Sequence, residues 1–247
     1  MAMTLGIQLY TVRQDCTKDF KGTVTALAKM GYQAVEFAGV YGNMEPRELA
    51  AFLAGLKLKT AGLHVSLPDI ANPDSPAYAY AAALKAPHLT TSLAGHVAKD
   101  WKGIIPEVAK AAAVAKGKGL LFTYHNHAQE FAKVDGVYAQ DMLYQQTDPK
   151  TVAFELDTFW IAKGGENPVA YIAKYAGRVP EVHLKDMDPS DQTFTEVGNG
   201  TMDLPAIFAA SEKAGARWMI VEQDSGKRAM MESAEISIRN LKNRKLV

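Results

Sequence analysis

Short apolar runs alternate with stretches of helical periodicity along the whole chain. Strands are predicted at Leu5–Tyr10, Ala34–Phe37, Thr60–Val65, Leu89–Ser92, Leu120–Tyr124, Val152–Leu156, Val179–Leu184 and Trp218–Glu222. Most are rich in β-branched and aromatic residues between glycine and polar breaks, whereas the fourth is short and rich in Thr and Ser. Helices are predicted at Phe20–Met30, Pro46–Leu56, Ala77–Leu84, Trp101–Lys118, Ala139–Gln146, Pro168–Ala176, Leu204–Ala214 and Glu232–Lys242. Asn167-Pro168 and Asp203-Leu204-Pro205 read as helix starts, a capping side chain followed by proline in the first turn. Gly31, Gly55, Gly119, Gly177 and Gly215 follow helical stretches, where a left-handed stop residue belongs.

The segments AKMGYQAVEF, AKGKGLLFTY, KYAGRVPEVHL and EKAGARWMIVE share one grammar: basic helix end, glycine, short linker, apolar strand. Such repetition marks βα units around a parallel sheet. Eight units over 247 residues average about 31 each, which suits a closed barrel. The expected fold is α/β, a (β/α)8 TIM barrel occupying residues 1–247 as a single domain. An open doubly wound sheet is the rival, but QLYTVRQD stands where its glycine-rich turn would follow the first strand.

Charge narrows the partners. Lys and Arg number 27, as do Asp and Glu, so the net charge is zero, and no long run has one sign. Nucleic acids and acidic membrane surfaces demand clustered cations and are not expected as partners. The lone cysteine, Cys16, excludes an internal disulfide framework and reads as a small loop residue without an activating partner. No 18-residue apolar stretch exists, so no membrane span is expected. The opening MAMTLGIQLY lacks a cationic segment and a long apolar one. A cytoplasmic location is favoured, with an exported protein trimmed of its leader as the alternative. A homo-oligomer is left open.

Catalytic groups of a parallel barrel come from the C-terminal strand ends. Those ends carry Gln8, Tyr10, Glu36, His64, the segment Tyr124 to Glu130, Asp157, His183, Lys185, Glu222 and Asp224, whereas the opposite ends begin with glycine, lysine and small residues. Glu130, Asp157, His183 and Glu222 recur at intervals near one strand–helix unit and are candidate metal ligands. Oxygen donors suit Mg²⁺ or Mn²⁺, and one imidazole moves preference toward Mn²⁺, Co²⁺ or Zn²⁺. The plainer reading pairs these side chains with Lys185, Lys163 or Arg13 in salt bridges. Glu155, two residues before Asp157, points to the same side of its strand, so either can reach the metal with the other deeper in a hydrogen-bond network; Asp157 is preferred as ligand because it lies nearer the strand end.

His127 is a candidate general base, since an unshifted imidazole pKa near ~6.5 suits proton transfer at neutral pH. A structural histidine bonded to backbone is the alternative. Glu36, His64, His125, Trp160 and Lys185 are candidate substrate contacts, with Trp160 as an apolar wall and Lys185 as an oxyanion partner. His88 and His96 receive no role. The segment EVGNGTMD, with two glycines, is read as a flexible loop over the rim.

In order along the chain, GIQLYTVR, GYQAVEFAG, GLHVSL, YHNHAQEF, ELDTFW, RVPEVHLKDM, EVGNGTMD and VEQD resemble the xylose isomerase-like TIM barrel superfamily of sugar phosphate isomerases and epimerases. The resemblance implies one divalent metal, Mn²⁺ preferred over Mg²⁺, Co²⁺ or Zn²⁺, on Glu130, Asp157, His183 and Glu222. It implies isomerisation or epimerisation of a sugar or keto-sugar, with His127, Glu130 or Glu222 removing a proton next to a carbonyl to give an enediolate. A dehydratase or lyase on a keto-sugar or keto-glycoside is the alternative. A metal-dependent hydrolase or endonuclease, or a non-catalytic sugar-binding barrel, is a further one. Epimerases of the superfamily usually carry a glutamate at the end of the fifth strand, where this chain has Tyr124 or His125.

Overall fold

The computed structural model describes residues 3–93 and 100–247, so His96 lies outside the described residues. Eight strands are β1 (Thr4–Gln8), β2 (Ala34–Phe37), β3 (Lys59–His64), β4 (His88–Thr91), β5 (Leu121–His125), β6 (Val152–Asp157), β7 (Glu181–Leu184) and β8 (Trp218–Val221). All neighbours pair in parallel and β1 closes on β8, giving the expected (β/α)8 TIM barrel. The pairing register sets the site. His125 stands beside Glu155, Asp157 beside His183, and Gln8 beside Glu36.

Alternation along each strand sends apolar side chains outward to the helices. Phe37, Leu63, Leu89, Phe122, Phe154, Leu156, Val182 and Leu184 are all fully buried there, each large side chain contributing roughly 1.5–3 kcal/mol by leaving water. The inward-facing positions differ. Barrel interiors are usually filled by Val, Ile and Leu, yet here Glu36, Thr90, Thr123, Glu155, Glu181 and His183 are buried polar residues. Ala34, Ala61 and Ile220, with Trp218 against them, form a small apolar cluster separate from the main core.

Helices Phe20–Met30, Ala77–Leu84, Ala139–Gln146 and Leu204–Ala214 have the expected bounds. Asn167 and Asp203 cap as expected, accepting from Ala170 N and Ala206 N at 3.1 Å each. Gly31 and Gly215 end their helices at φ 107° and 89°. Gly55 does not: it is the last helical residue, and Lys57 takes the left-handed turn at φ 58°. Short helices Arg13–Lys18, Leu67–Ala71 and Thr158–Lys163 and a 3₁₀ turn Ala128–Phe131 lie beyond the sequence-based expectation. They span too few residues to show a helical period.

The EVGNGTMD segment is anchored rather than free, which corrects the expectation of a flexible loop. Asp186 Oδ2 accepts from Gly198 N at 2.9 Å and Gly200 N at 3.1 Å, and Oδ1 from Met202 N at 3.0 Å. A Cβ at Gly200 would stand 2.2 Å from Asp186 Oδ1, so only glycine allows this approach. Cys16 is buried, and burial pushes its thiol up to about 12, which leaves no thiolate for chemistry at neutral pH. No helix among the described residues is long and apolar enough to cross a membrane.

Candidate active site

At the C-terminal rim, ring nitrogens of His125 and His183 and carboxylate oxygens of Asp157 and Glu222 all lie within 4.8 Å of one another. Each comes from the last two residues of a strand or the residue just beyond it: β5, β6, β7 and β8. Asp157 also caps the helix Thr158–Lys163, its Oδ1 accepting from Trp160 N at 2.9 Å. That bond fixes the carboxylate and leaves Oδ2, fully buried, without a hydrogen bond. Lys185 Nζ approaches Asp157 Oδ2 at 3.1 Å, Glu222 Oε2 at 2.8 Å and Asp224 Oδ1 at 2.7 Å. Three carboxylates against one ammonium leave a formal excess of two negative charges beside two imidazoles. Two nitrogen and two oxygen donors, one oxygen unbonded, fit a divalent cation of the Mn²⁺, Co²⁺ or Zn²⁺ type.

Beneath this set Glu155 acts as a hub. Its Oε1 meets His64 Nε2 at 2.8 Å, His125 Nδ1 at 2.7 Å and His183 Nε2 at 3.0 Å, and its Oε2 accepts from Thr90 Oγ1 at 2.9 Å. Glu36 Oε2 adds a contact to His183 Nε2 at 2.7 Å and accepts from Gln8 Nε2 at 2.8 Å. A carboxylate holding the far nitrogen of a ligating imidazole fixes its tautomer and raises its basicity.

The structure brings together Asp157, His183 and Glu222 from the expected ligand set and does not bring Glu130 to them. Glu130 is buried, but Oε1 accepts from Tyr124 Oη at 2.8 Å and Oε2 from His127 N at 2.8 Å. The 3₁₀ turn folds this carboxylate back onto the end of β5, and His125 stands in the cluster instead. Glu36, expected as a substrate contact, is fully buried below the rim. His64, His125 and Lys185 line a cavity of about 280 Å³ together with Gln8, Tyr10, His127, Glu222 and Asp224. The Trp160 ring is tilted against that of His127, centroids 5.2 Å apart, and lies 5.7 Å from Lys185 Nζ. A larger groove of about 570 Å³ runs past Leu53, Leu84 and Trp218 but holds no carboxylate or imidazole.

Electrostatics separates the histidines. Burial alone lowers His183, but Glu155, Glu36 and Glu222 outweigh it and hold the ring well above the ordinary range. His64 is raised in the same way by Glu155 and Glu36. Burial holds His125 well below the ordinary range despite its bond to Glu155. His127 differs from all of them in its partners. Among the described residues His64, His88, His125 and His183 each contact a carboxylate, and His127 forms no such pair. Burial, then the Lys185 ammonium, lower it to about 4, so the ring is neutral at pH 7. Burial raises Asp157 to about 6, with Lys185 opposing. In the metal-free protein an NMR titration of the His127 ring should therefore have its midpoint near about 4. The unfolded chain protonates this ring near ~6.5, so its contribution to stability is present above that pH and is lost as pH falls toward 4. A midpoint above 6 would remove this account of the ring.

A family model for the xylose isomerase-like TIM barrel matches residues 24–244. The chain belongs to that family. Among curated relatives, inosose dehydratase of Clostridium beijerinckii is 29% identical over 144 residues, 51% of this chain and 48% of its own. The chain thus spans about half the length of the curated relatives it matches. A sugar phosphate isomerase/epimerase from Parabacteroides distasonis has a TM-score of 0.83 at 24% identity, covering 98% of this chain and 94% of that one. The IolI protein, solved with a zinc atom, has a TM-score of 0.74 at 14% identity, covering 99% and 97%. At these identities the two structures show a shared fold.

Two features of the rim were not assigned from sequence. From sequence His125 is a substrate contact, with Glu130 or a neighbour left open as the first ligand, because a residue at the strand end gives no sign of which nitrogen faces inward. Asp224 was noted at its strand end without a role, and only the fold shows it beside Lys185.

Proposed function

We propose that the chain is a metal-dependent lyase that removes water from a polyhydroxylated ketone such as a keto-sugar or cyclic keto-polyol. The observation that carries the proposal is His127, a neutral imidazole on the rim cavity without a carboxylate partner, beside the buried ammonium of Lys185. His125, Asp157, His183 and Glu222 would hold the divalent ion, which supplies Lewis-acid polarisation of the substrate carbonyl when bound. His127 takes the proton from the carbon next to the carbonyl. Lys185, held by Asp157, Glu222 and Asp224, donates to the developing oxyanion. The proton on His127 then passes to the departing β-hydroxyl. One C–H and one C–O bond break, a C=C bond forms, and water leaves. Trp160 walls the side of His127.

The names of curated dehydratase relatives support this outcome, and the zinc in the IolI structure supports a bound dication. The missing fifth-strand glutamate and the committed carboxylate of Glu130 argue against a paired-glutamate epimerase. Isomerisation or epimerisation remains a second reading because Glu222 lines the same cavity and offers another base.

The test is a metal-loaded panel of aldoses, ketoses and cyclic keto-polyols followed by NMR in deuterated water. The expected product has lost water and gained an alkene signal. An epimer or isomer with retained oxygen count would replace the lyase reading with the second one. His127→Asn should lower turnover at least ~100-fold, the usual worth of a general base, while metal content stays constant. Unchanged turnover would take His127 out of the mechanism.

A further inference from the structure

A second polar cluster lies deeper in the barrel, below the rim site. Glu36, His88, Glu155 and Glu181, from β2, β4, β6 and β7, bring one donor atom each within 4.8 Å of the others, and all four are buried. No residue in this set belongs to the rim ligand set, and Glu155 is the bridge between the two levels.

The layer carries three carboxylates and one imidazole of its own. Glu181 pairs with His88 Nε2 through Oε2. Glu181 Oε1 and Glu36 Oε1 have no hydrogen-bond partner, although both residues are completely buried. Unbonded buried carboxylate oxygens are costly, and an isolated buried charge far more so. Burial, then Glu36, push the Glu181 carboxyl upward.

The donors pack closely against the β3 backbone. A Cβ on Gly62 would stand 2.6 Å from His88 Nε2 and 2.9 Å from Glu36 Oε1. Only glycine at position 62 lets His88 and Glu36 come this close to the strand. Ala34, Ala61 and Ile220 form a small apolar cluster of their own.

We propose that Glu36, His88, Glu155 and Glu181 form a second divalent-cation site inside the barrel, separate from the rim site. Three oxygens and one imidazole nitrogen suit Zn²⁺, Mn²⁺ or Co²⁺. All four residues are buried, so the ion there is structural. It offsets the interior carboxylates and fixes Glu155 and Glu36, which in turn hold the rings of His64, His125 and His183. The proposal stands whether the rim catalyses dehydration, epimerisation or neither.

Wild-type protein is stripped with a chelator, reloaded with excess Zn²⁺, Co²⁺ or Mn²⁺, desalted, and measured for metal per chain. Crystals of each loaded form are then examined for anomalous scattering at the metal edge. Two equivalents are expected, with one anomalous peak among Glu36, His88, Glu155 and Glu181 and the inner ion slower to leave in chelator. Glu181→Gln and His88→Gln should each lose one equivalent and keep the rim peak. A wild-type crystal with no peak at the inner residues after loading overturns the proposal, independently of whether any variant folds. Inner-layer variants that fold and retain two equivalents also overturn it.

Discussion

His183→Ala is expected to lose the rim cation and at least ~1,000-fold in kcat/KM, since a Lewis-acid ion is worth several kcal/mol in the transition state. Both ring nitrogens are engaged, Nδ1 with Glu222 Oε2 at 2.7 Å and Nε2 with Glu36 and Glu155 at 2.7 and 3.0 Å. Alanine removes a donor from the ion and also leaves three buried carboxylates without their shared cation. Breaking a buried pair costs about 3–5 kcal/mol, so the variant should melt earlier as well. Asp157→Asn separates the two effects. The amide keeps the volume and the cap to Trp160 N but removes the charged oxygen that has no hydrogen bond. It should lose metal and activity with a smaller change in melting. Metal content by elemental analysis and turnover on the same preparation check both. Either variant holding its full metal content with wild-type turnover would sink the rim assignment.

The sequence carried the barrel because each βα unit repeats the same local signals. Strand and helix positions follow from alternation and caps that act over a few residues, and the polar strand ends pointed to the catalytic rim. Asp157, His183 and Glu222 were legible because each sits at the end of a regular strand, where the register fixes its direction. Glu130 was not legible. Its position depends on the 3₁₀ turn after β5, and nothing in YHNHAQEF shows that the carboxylate turns back to Tyr124 and the His127 backbone. The interior polar layer was hidden for a different reason. Glu36 reads as a rim residue, Glu155 as either a ligand or a deeper hydrogen-bond partner of Asp157, and His88 and Glu181 lie near strand starts. Their meeting depends on the stagger of four strands around a closed barrel, which local patterns do not encode. His127 was noticed for its residue type, but its neutrality comes from burial and from Lys185, 58 positions away (185 − 127).

Glu155→Gln is the substitution that should report on the whole polar interior at once. One oxygen, Oε1, serves His64, His125 and His183, and the amide keeps an acceptor there while removing the charge. Loss of such an outer partner should weaken rim metal binding roughly 10–100-fold. In the metal-free protein the cost in stability should be about 3 kcal/mol, the lower end for breaking a buried pair. The pH dependence gives the sharper test. Burial opposes charge on His64 and His183, but their carboxylate neighbours, Glu155 first, raise both. Raised histidines contribute stability that is full below ~6.5 and lost as pH climbs through their folded values. Glu155 itself is resisted by burial yet held well below the ordinary carboxylate range by His183 and His64. Its contribution is present above the unfolded value and lost only as pH falls through the depressed folded one. Metal-free wild-type protein should therefore lose stability as pH rises past neutral, and Glu155→Gln should flatten that decline. Urea unfolding midpoints between pH 5 and 9 measure it. Two profiles that run parallel, offset by a constant, would mean that Glu155 does not set the charge of the histidines around it.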